Sequence, residues 1–454
     1  MDIRETIIGP EIARVTHRRV VWRILPFVFL MYLVNYVDRT ALAFAAPNGM
    51  NDDLQLTATM FGFAAGIFFI GYILLEVPSN LLMQKFGARK WIARIMVSWG
   101  IIAALTAFVQ NYELLLLARF LLGVAEAGFA PAIFLYLTFW FSNRNRVKAF
   151  SIFLLGIPVS SVITAPLATW LIGVGNATPG LEGWRFMIFT TGVPAIIIGV
   201  IAFFYLTDRP EQAKWLTPQQ KDFLHKEIEA ETDTSARHDT SIKAALRNAK
   251  VWALSIAYMG IVYGLYGIGF FVPSIIDGFS KQFGTTFSPI QTSLLIATPY
   301  AIAAICMLFW ARHSARTGDI GWHVFITTTL GAIGILISAY VNNPFMIMVG
   351  VTLCALGVIS SMPVLWGLPA KILSGVGAAA GLAVVNTVGN FGGFAGPYLT
   401  GWLTDASGSY KLPFTLLAIF LILSGVISVL VQRSNRVLVK AHSDQELERS
   451  LSTH

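Results

Sequence analysis

A small set of ionisable residues stands where the sequence is otherwise hydrocarbon. Asp38 and Arg39 interrupt an apolar run from Trp22 to Ala46, inside the stretch NYVDRTALAF. Arg119 and Glu126 interrupt the run 113–138, Glu76 lies in the run 58–83, and Arg94 sits near the start of 91–109. An ionisable group at membrane depth costs at least about 2.5–3.5 kcal/mol on insertion scales, so each must face protein or water and find a partner. Adjacent helical residues point about 100° apart, which makes Asp38 and Arg39 poor partners for each other. Arg119 and Glu126 are seven apart, on one face and about 10 Å from each other along the axis. The chemistry open to such a set is proton carriage by carboxylates and anion binding by arginine.

The elements that must hold these groups are membrane helices. The chain has 454 residues, 56% of them hydrophobic and only 12% charged, with mean hydropathy +0.67. Apolar runs long enough to cross a bilayer recur from end to end, near 22–46, 58–83, 91–109, 113–138, 148–173, 186–206, 251–276, 288–311, 322–341, 345–369, 376–403 and 412–432. Only helices satisfy their own backbone at these lengths in lipid, so the expected fold is all-α with twelve spans. The net charge of +8 reflects topology and gives no reason to expect nucleic acid. Arg14, Arg18, Arg19, Arg23, Lys85, Arg89, Lys90, Arg144, Arg146, Lys148, Arg312, Arg316, Lys371, Arg433, Arg436 and Lys440 fall on one side, against little more than Arg185, Lys281 and Lys411 opposite. Both termini are therefore expected in the cytoplasm. A cleaved signal peptide is not expected, because Asp38 and Arg39 would spoil the apolar core ahead of ALAF.

One long polar segment, 208–249, divides the chain into a tail (1–20), a six-span half (21–207), a cytoplasmic link, a second half (250–432) and a second tail (433–454). Within the link, Thr217, Pro218 and Gln220 form a helix start with a reciprocal capping pair. The halves echo each other. NLLMQKFGARK (80–90) and ARHSARTGD (311–319) align at an offset of 231 residues, Lys85 with Arg316 and Gly87 with Gly318. Duplicated halves around a midplane site are the build of secondary transporters.

With the first span running outward and the fourth inward, Asp38 and Arg119 lie at similar depth, each roughly 12 Å in. Side chains tilt toward their helix N-terminus, so Arg39 and Glu126 lean toward each other. Two cross-span pairs follow: Asp38 with Arg119, and Arg39 with Glu126. The same offset puts Gly269, Phe270, Gly350 and Gly357 at the corresponding places of the second half, so the buried charge is confined to the first. Glu76 and Arg94 are a candidate gating or structural pair. Every histidine falls in a loop, a tail or a span's edge, which leaves proton carriage to carboxylates. Substrate contacts are expected from Tyr36 and Tyr72 in the first half. In the second they are expected from Tyr263, Tyr266, Ser360, Ser361 and Trp366, and from Asn386 and Asn390, which share a helical face. Glycines 389, 392, 393 and 396 read as close-approach positions. Cys306 and Cys354 read as packing residues, and no metal ligand set or cofactor is expected.

The stretches NYVDRTALAFAAP, ARFLLGVAEAGFAPA (118–132), LTDRPEQAKWLTP (206–218) and VVNTVGNFGGFAGPYLTGWL (384–403) resemble the anion:cation symporter branch of the major facilitator superfamily. GYILLEVPSNLLMQKFGARKWIARI (71–95) and LWGLPAKILSG (365–375) are most similar to its tartrate, phthalate and 4-hydroxyphenylacetate permeases. The likeness covers about residues 20–432. It implies proton-coupled uptake of a small organic anion by alternating access between two six-helix bundles. It places proton-titrating roles on Asp38 and Glu126 and anion-related roles on Arg39 and Arg119. One departure is Gln84, with Ala315 in the repeat, where the superfamily's loop usually carries an aspartate. A monomer in a bacterial inner membrane, with lipid, protons and the anion as its partners, is the expectation. A drug–proton antiporter on the same fold is the alternative, although the fifth span offers only Gly156 and Pro158 toward that class's glycine- and proline-rich motif. No nucleophile–base set or phosphate loop supports an enzyme.

Overall fold

The computed structural model describes residues 3–232, 246–372 and 378–452, and among these every regular element is a helix. Part of the polar link (233–245) and the segment 373–377 lie outside the described residues, as do the side chains of Arg144, Lys281, Lys371, Arg436 and Lys440. The first half contains α1 (Ile3–Ala45), α2 (Ala58–Phe86), α3 (Ala88–Thr106), α4 (Tyr112–Glu126), α5 (Phe129–Thr138), α6 (Asn143–Leu154), α7 (Gly156–Asn176) and α8 (Gly183–Tyr205). After α9 (Pro218–Thr232) come α10 (Ala249–Gly269), α11 (Val272–Phe283), α12 (Pro289–Thr317), α13 (Gly321–Tyr340), α14 (Pro344–Leu365), α15 (Gly367–Ile372), α16 (Ala378–Ser407) and α17 (Lys411–Ser452).

Among the described residues, ten segments are long and apolar enough to cross a membrane, counting α4–α5, α6–α7, α10–α11 and α14–α15 as single crossings. The remaining two crossings are α3, whose apolar run opens on Arg89, Lys90 and Arg94, and the glycine-rich α16. Twelve crossings result. Large apolar side chains such as Trp22, Phe204 and Phe345 point outward, at 70%, 78% and 73% exposure, as lipid-facing positions do.

Contacts divide the chain into two units: Met1–Arg237 with Pro273–Lys281 and Thr285–Ala297, and His238–Val272 with Gln282–Gly284 and Thr298–His454. Two segments of the second sequence half thus group with the first unit. In the first unit, α1 packs on α7 and α8, α3 on α8, and α2 on α4. The α2–α4 contact is backbone to backbone. A Cβ on Gly71 would run into the Phe120 carbonyl, and one on Gly123 into the Phe68 carbonyl. In the second unit, α10 packs on α16, and α13 on α14 and α17. Gly392 and Gly396 press on the carbonyls of Met259 and Tyr263, and Gly389 on the Tyr258 ring.

The repeat read from the sequence has a physical counterpart. Gly87 and Gly318, at equivalent turns, both hold positive φ, +89° and +69°. Each turn is closed by a side chain from the end of its half or just beyond it. The Arg89 N–H donates to Asp208 Oδ1 at 2.7 Å, just beyond α8. The Gly321 N–H donates to Gln432 Oε1 of α17, whose Nε2 donates to Asp319 Oδ1 at 3.0 Å. The turn after α2 thus has a carboxylate beside it, contributed by Asp208 from a distant part of the sequence. In the link, α9 starts as its capping pair requires: Gln220 N–H to Thr217 Oγ1 at 3.3 Å and Thr217 N–H to Gln220 Oε1 at 3.2 Å. This helix docks on α1 of the same unit, with Arg19 donating to Gln220 Oε1 at 3.2 Å and His17 2.8 Å from Glu227.

Gly123→Ala should destabilise the protein by about 1–3 kcal/mol through overpacking. Gly173→Ala, whose Cβ would meet nothing within 4 Å, should leave the unfolding temperature in detergent unchanged or slightly raised, and the two thermal melts check it.

Candidate functional site

The charged residues converge in the first unit. Asp38, Arg39, Arg119 and Glu126 are only 1–8% exposed, so none of them snorkels to an interface. Arg39 Nη2 donates to Glu126 Oε1 in a buried ion pair, one of the two pairs expected from helix direction and side-chain tilt. The Arg39 guanidinium also lies among aromatic rings. Its carbon is 5.1 Å from the Tyr36 centroid, 4.9 Å from Phe68, 5.9 Å from Phe69 and 5.7 Å from Tyr72. Such faces attract a desolvated cation by cation–π interaction. Tyr36 and Tyr72 thus form part of the arginine's cage. Phe68 and Phe69 escaped the sequence reading, although their spacing to Tyr72, four and three residues, puts all three on one face of α2.

The second expected pair does not close. Asp38 and Arg119 act on each other electrostatically, but no ion pair forms between them. Arg119 is held elsewhere: its Nε donates to the Ala64 carbonyl of α2 at 3.4 Å, and its guanidinium carbon lies 5.2 Å from the Phe68 centroid. Asp38 instead has the fully buried Trp99 beside it, with the indole N–H turned toward the carboxylate but short of hydrogen-bond geometry. Asp38 Oδ2, Arg119 Nη2 and Glu126 Oε2 all lack a hydrogen-bond partner among the described residues. The site therefore holds spare donors and spare acceptors in a buried interior.

Glu76 and Arg94 are not brought together. Glu76 is 4% exposed, whereas Arg94 is exposed and lays its guanidinium 4.6 Å from the Trp91 centroid on its own helix. No charge partner acts on Arg94. The run 113–138 is also not one helix. It breaks at Ala127–Gly128, immediately after Glu126, where Gly128 takes φ +82° and a Cβ would press on Ser79 Oγ at 2.7 Å.

In the second unit, Gly350 and Gly357 occupy the places equivalent to Arg119 and Glu126. They pack against Gly334 with Ser338, and against Thr327 with Gly331, so backbone contact replaces charge. Ser360 and Ser361 are fully buried; Ser361 Oγ donates to the Val358 carbonyl at 2.7 Å, and Ser360 Oγ has no hydrogen-bond partner among the described residues. Trp366 meets Tyr258 edge to face at 5.0 Å, and Asn386 and Asn390 are half-buried on α16. Tyr263 departs from expectation. Its ring stacks on Phe420 of α17 at 4.8 Å, which turns it into the helix packing of its own unit. Tyr266 stacks on Phe270 of its own chain segment at 6.0 Å.

Removing one member of a buried pair leaves the other charge uncompensated. Glu126→Gln should destabilise the substrate-free protein by about 3 kcal/mol, and adding Arg39→Met should recover most of that. A double-mutant cycle of thermal melts measures the coupling.

The comparisons with known proteins agree with this architecture. The family model of the Major Facilitator Superfamily matches residues 28–383 and 280–453. A protein of Agrobacterium vitis named "Putative tartrate transporter" is 42% identical over 94% of this chain and 93% of its own length. A "Quinolone resistance transporter" of Acinetobacter baumannii is 37% identical over 91% of this chain and 94% of its own. Among solved structures, an inward-facing, occupied bacterial homologue of the human lysosomal transporter Spinster superposes with TM-score 0.70. It does so at 15% identity, covering 90% of this chain and 96% of that one, a likeness of fold. The chain belongs to the Major Facilitator Superfamily and is a membrane transporter, not an enzyme.

Proposed function

We propose that this transporter carries a small organic carboxylate anion, of the tartrate-like hydroxy-acid or aromatic-acid class, into the cell together with protons by alternating access. The observation that carries the reading is the buried Arg39–Glu126 pair inside its aromatic cage. The 42% identity to proteins named as tartrate transporters supports the substrate class.

The coupling follows from charge balance. With both carboxylates ionised, Asp38, Arg39, Arg119 and Glu126 sum to zero. Protonating Glu126 releases Arg39 from its counter-ion in a low-dielectric site, where an unmatched guanidinium attracts an anion strongly. The incoming carboxylate takes the place that Glu126 gave up, with Tyr36 and Tyr72 beside it as hydroxyl donors. Asp38 works in the same way on Arg119, at longer range. Proton and anion then bind cooperatively. The electrical work points the same way. Moving one negative charge inward against a negative-inside potential costs about 2.3 kcal/mol per 100 mV. One proton cancels it for a monoanion, and two cancel it for a dianion such as tartrate. In the second unit, Ser360, Ser361, Trp366, Asn386 and Asn390 are the substrate-reading candidates. The transporter works as a monomer in the inner membrane, with both tails in the cytoplasm and no cofactor beyond the coupling proton.

The 37% identity to a quinolone resistance transporter favours a second reading, proton-coupled antiport. The sign of proton movement separates the two. Tartrate added outside proteoliposomes should alkalinise the outer medium under symport, and an exchanger would acidify it. Asp38→Asn and Glu126→Gln should each abolish accumulation of tartrate driven by a pH gradient while leaving exchange of preloaded tartrate partly intact. Uptake and counterflow in proteoliposomes, measured side by side, check both, and full accumulation by both variants would overturn the symport reading.

A further inference from the structure

Glu76 is the buried carboxylate that the charge balance above leaves unused. The helix carrying it has a sharply defined buried stripe: Phe68, Phe69, Tyr72, Glu76, Ser79 and Met83. Leu74, Leu75 and Val77, on the other faces, are 60%, 38% and 45% exposed, as lipid-facing positions are. A glutamate thus occupies a position that packing alone would fill with an apolar side chain, at an insertion cost of the order already noted for buried charge.

The stripe also places Glu76 relative to the ion pair. Phe68, Phe69 and Tyr72 all lie against the Arg39 guanidinium that Glu126 holds. Glu76 is four residues past Tyr72 and seven past Phe69, hence on the same face and about 6 Å further along the axis than Tyr72. The close α2–α4 packing fixes the register. Gly123 meets Phe68 and Tyr72, and Gly128 meets Ser79 and the Glu76 carbonyl. Glu76 is therefore level with the helix break that follows Glu126, on the side facing the basic Lys85 turn.

We propose that Glu76 receives the proton that Glu126 gives up and releases it toward the cytoplasm. This rests on the symport reading and on the inward direction of α2. As the Glu126 O–H bond breaks, the carboxylate re-forms its pair with Arg39, and the proton bonds to a Glu76 carboxylate oxygen. Glu76 loses it to water when the inner side opens, so charge and protons balance over the cycle. The groups around it suit this role. The charged groups buried on α1 and α4 are Asp38, Arg39, Arg119 and Glu126, whose charges the transported proton and anion reset. From α3, Arg94 turns outward over Trp91. From α5, Tyr136 is engaged with the Thr207 backbone and Trp140. On α2 itself, Tyr72, one turn before Glu76 and with its ring 5.7 Å from the Arg39 guanidinium carbon, supplies a hydroxyl for the transfer.

The test uses the full-length protein with tartrate as the probe. Glu76→Gln should keep tartrate counterflow at the wild-type level and slow accumulation driven by a pH gradient by about tenfold or more, with Glu76→Asp recovering a substantial part. Infrared difference spectra taken across a pH titration should lose one protonated-carboxyl band in Glu76→Gln and keep it in Glu76→Asp. An unchanged carboxyl band, or unchanged accumulation by the glutamine variant, overturns the proposal. So does loss of counterflow in a variant whose thermal melt matches wild type, which would make Glu76 a gating residue. A wild type that moves no tartrate refutes the substrate reading alone. In that case the infrared band still decides Glu76, its loss upholding a titrating carboxyl and its persistence rejecting one.

Discussion

A guanidinium and a carboxylate stripped of water inside a helix bundle form the constraint on which the rest depends. Neither charge is tolerable alone at that depth, and the pair is tolerable only while geometry holds it closed. The Arg39–Glu126 contact therefore dictates its surroundings. Two glycines let α2 and α4 touch backbone to backbone, and that closeness puts Phe68, Phe69 and Tyr72 around the arginine. Larger residues at 71 or 123 would move the ring faces away and leave the cation to be stabilised by Glu126 alone.

The two halves share a fold and divide the labour. Equivalent turns at Gly87 and Gly318 both take positive φ, and each is closed by a side chain from the end of its half, Asp208 just beyond α8 and Gln432 of α17. The interiors differ. Where the first half buries Arg119 and Glu126, the second has Gly350 and Gly357 pressed on neighbouring backbone. At these places the second unit packs backbone on backbone, while the first buries an arginine and a carboxylate. Duplication supplied the scaffold twice, and the electrostatics were kept in one copy.

How much of this was legible beforehand depended on whether local rules decided the outcome. The Arg39–Glu126 pair followed from helix direction and from the tilt of side chains toward the N-terminus, both local properties. The capping pair of Thr217 and Gln220 was equally readable. Asp38 and Arg119 were not, because the Ala64 carbonyl and the Phe68 ring, on a third helix, compete for the guanidinium. Arg94 lies over Trp91 rather than meeting Glu76: a half-buried ring one turn away on its own helix takes the guanidinium. The break after Glu126 was hidden inside an unbroken apolar run, since a glycine at positive φ leaves no mark on hydropathy. Asp208 shows how far such a partner can come, a carboxylate contributed 119 positions away from the N–H it caps.

The docking of α9 on α1 redraws where the first bundle ends. His17 and Arg19 reach Glu227 and Gln220, and Leu224 is buried beneath them, so the stretch after α8 belongs to the fold and is no free tether. A gene cut at the last apolar residue of the sixth span would strip away Asp208 and this helix together, exposing the first bundle's inner rim. Fragments meant to assemble from two separately expressed polypeptides, or a fluorescent domain inserted between the halves, need their junction placed beyond Thr232.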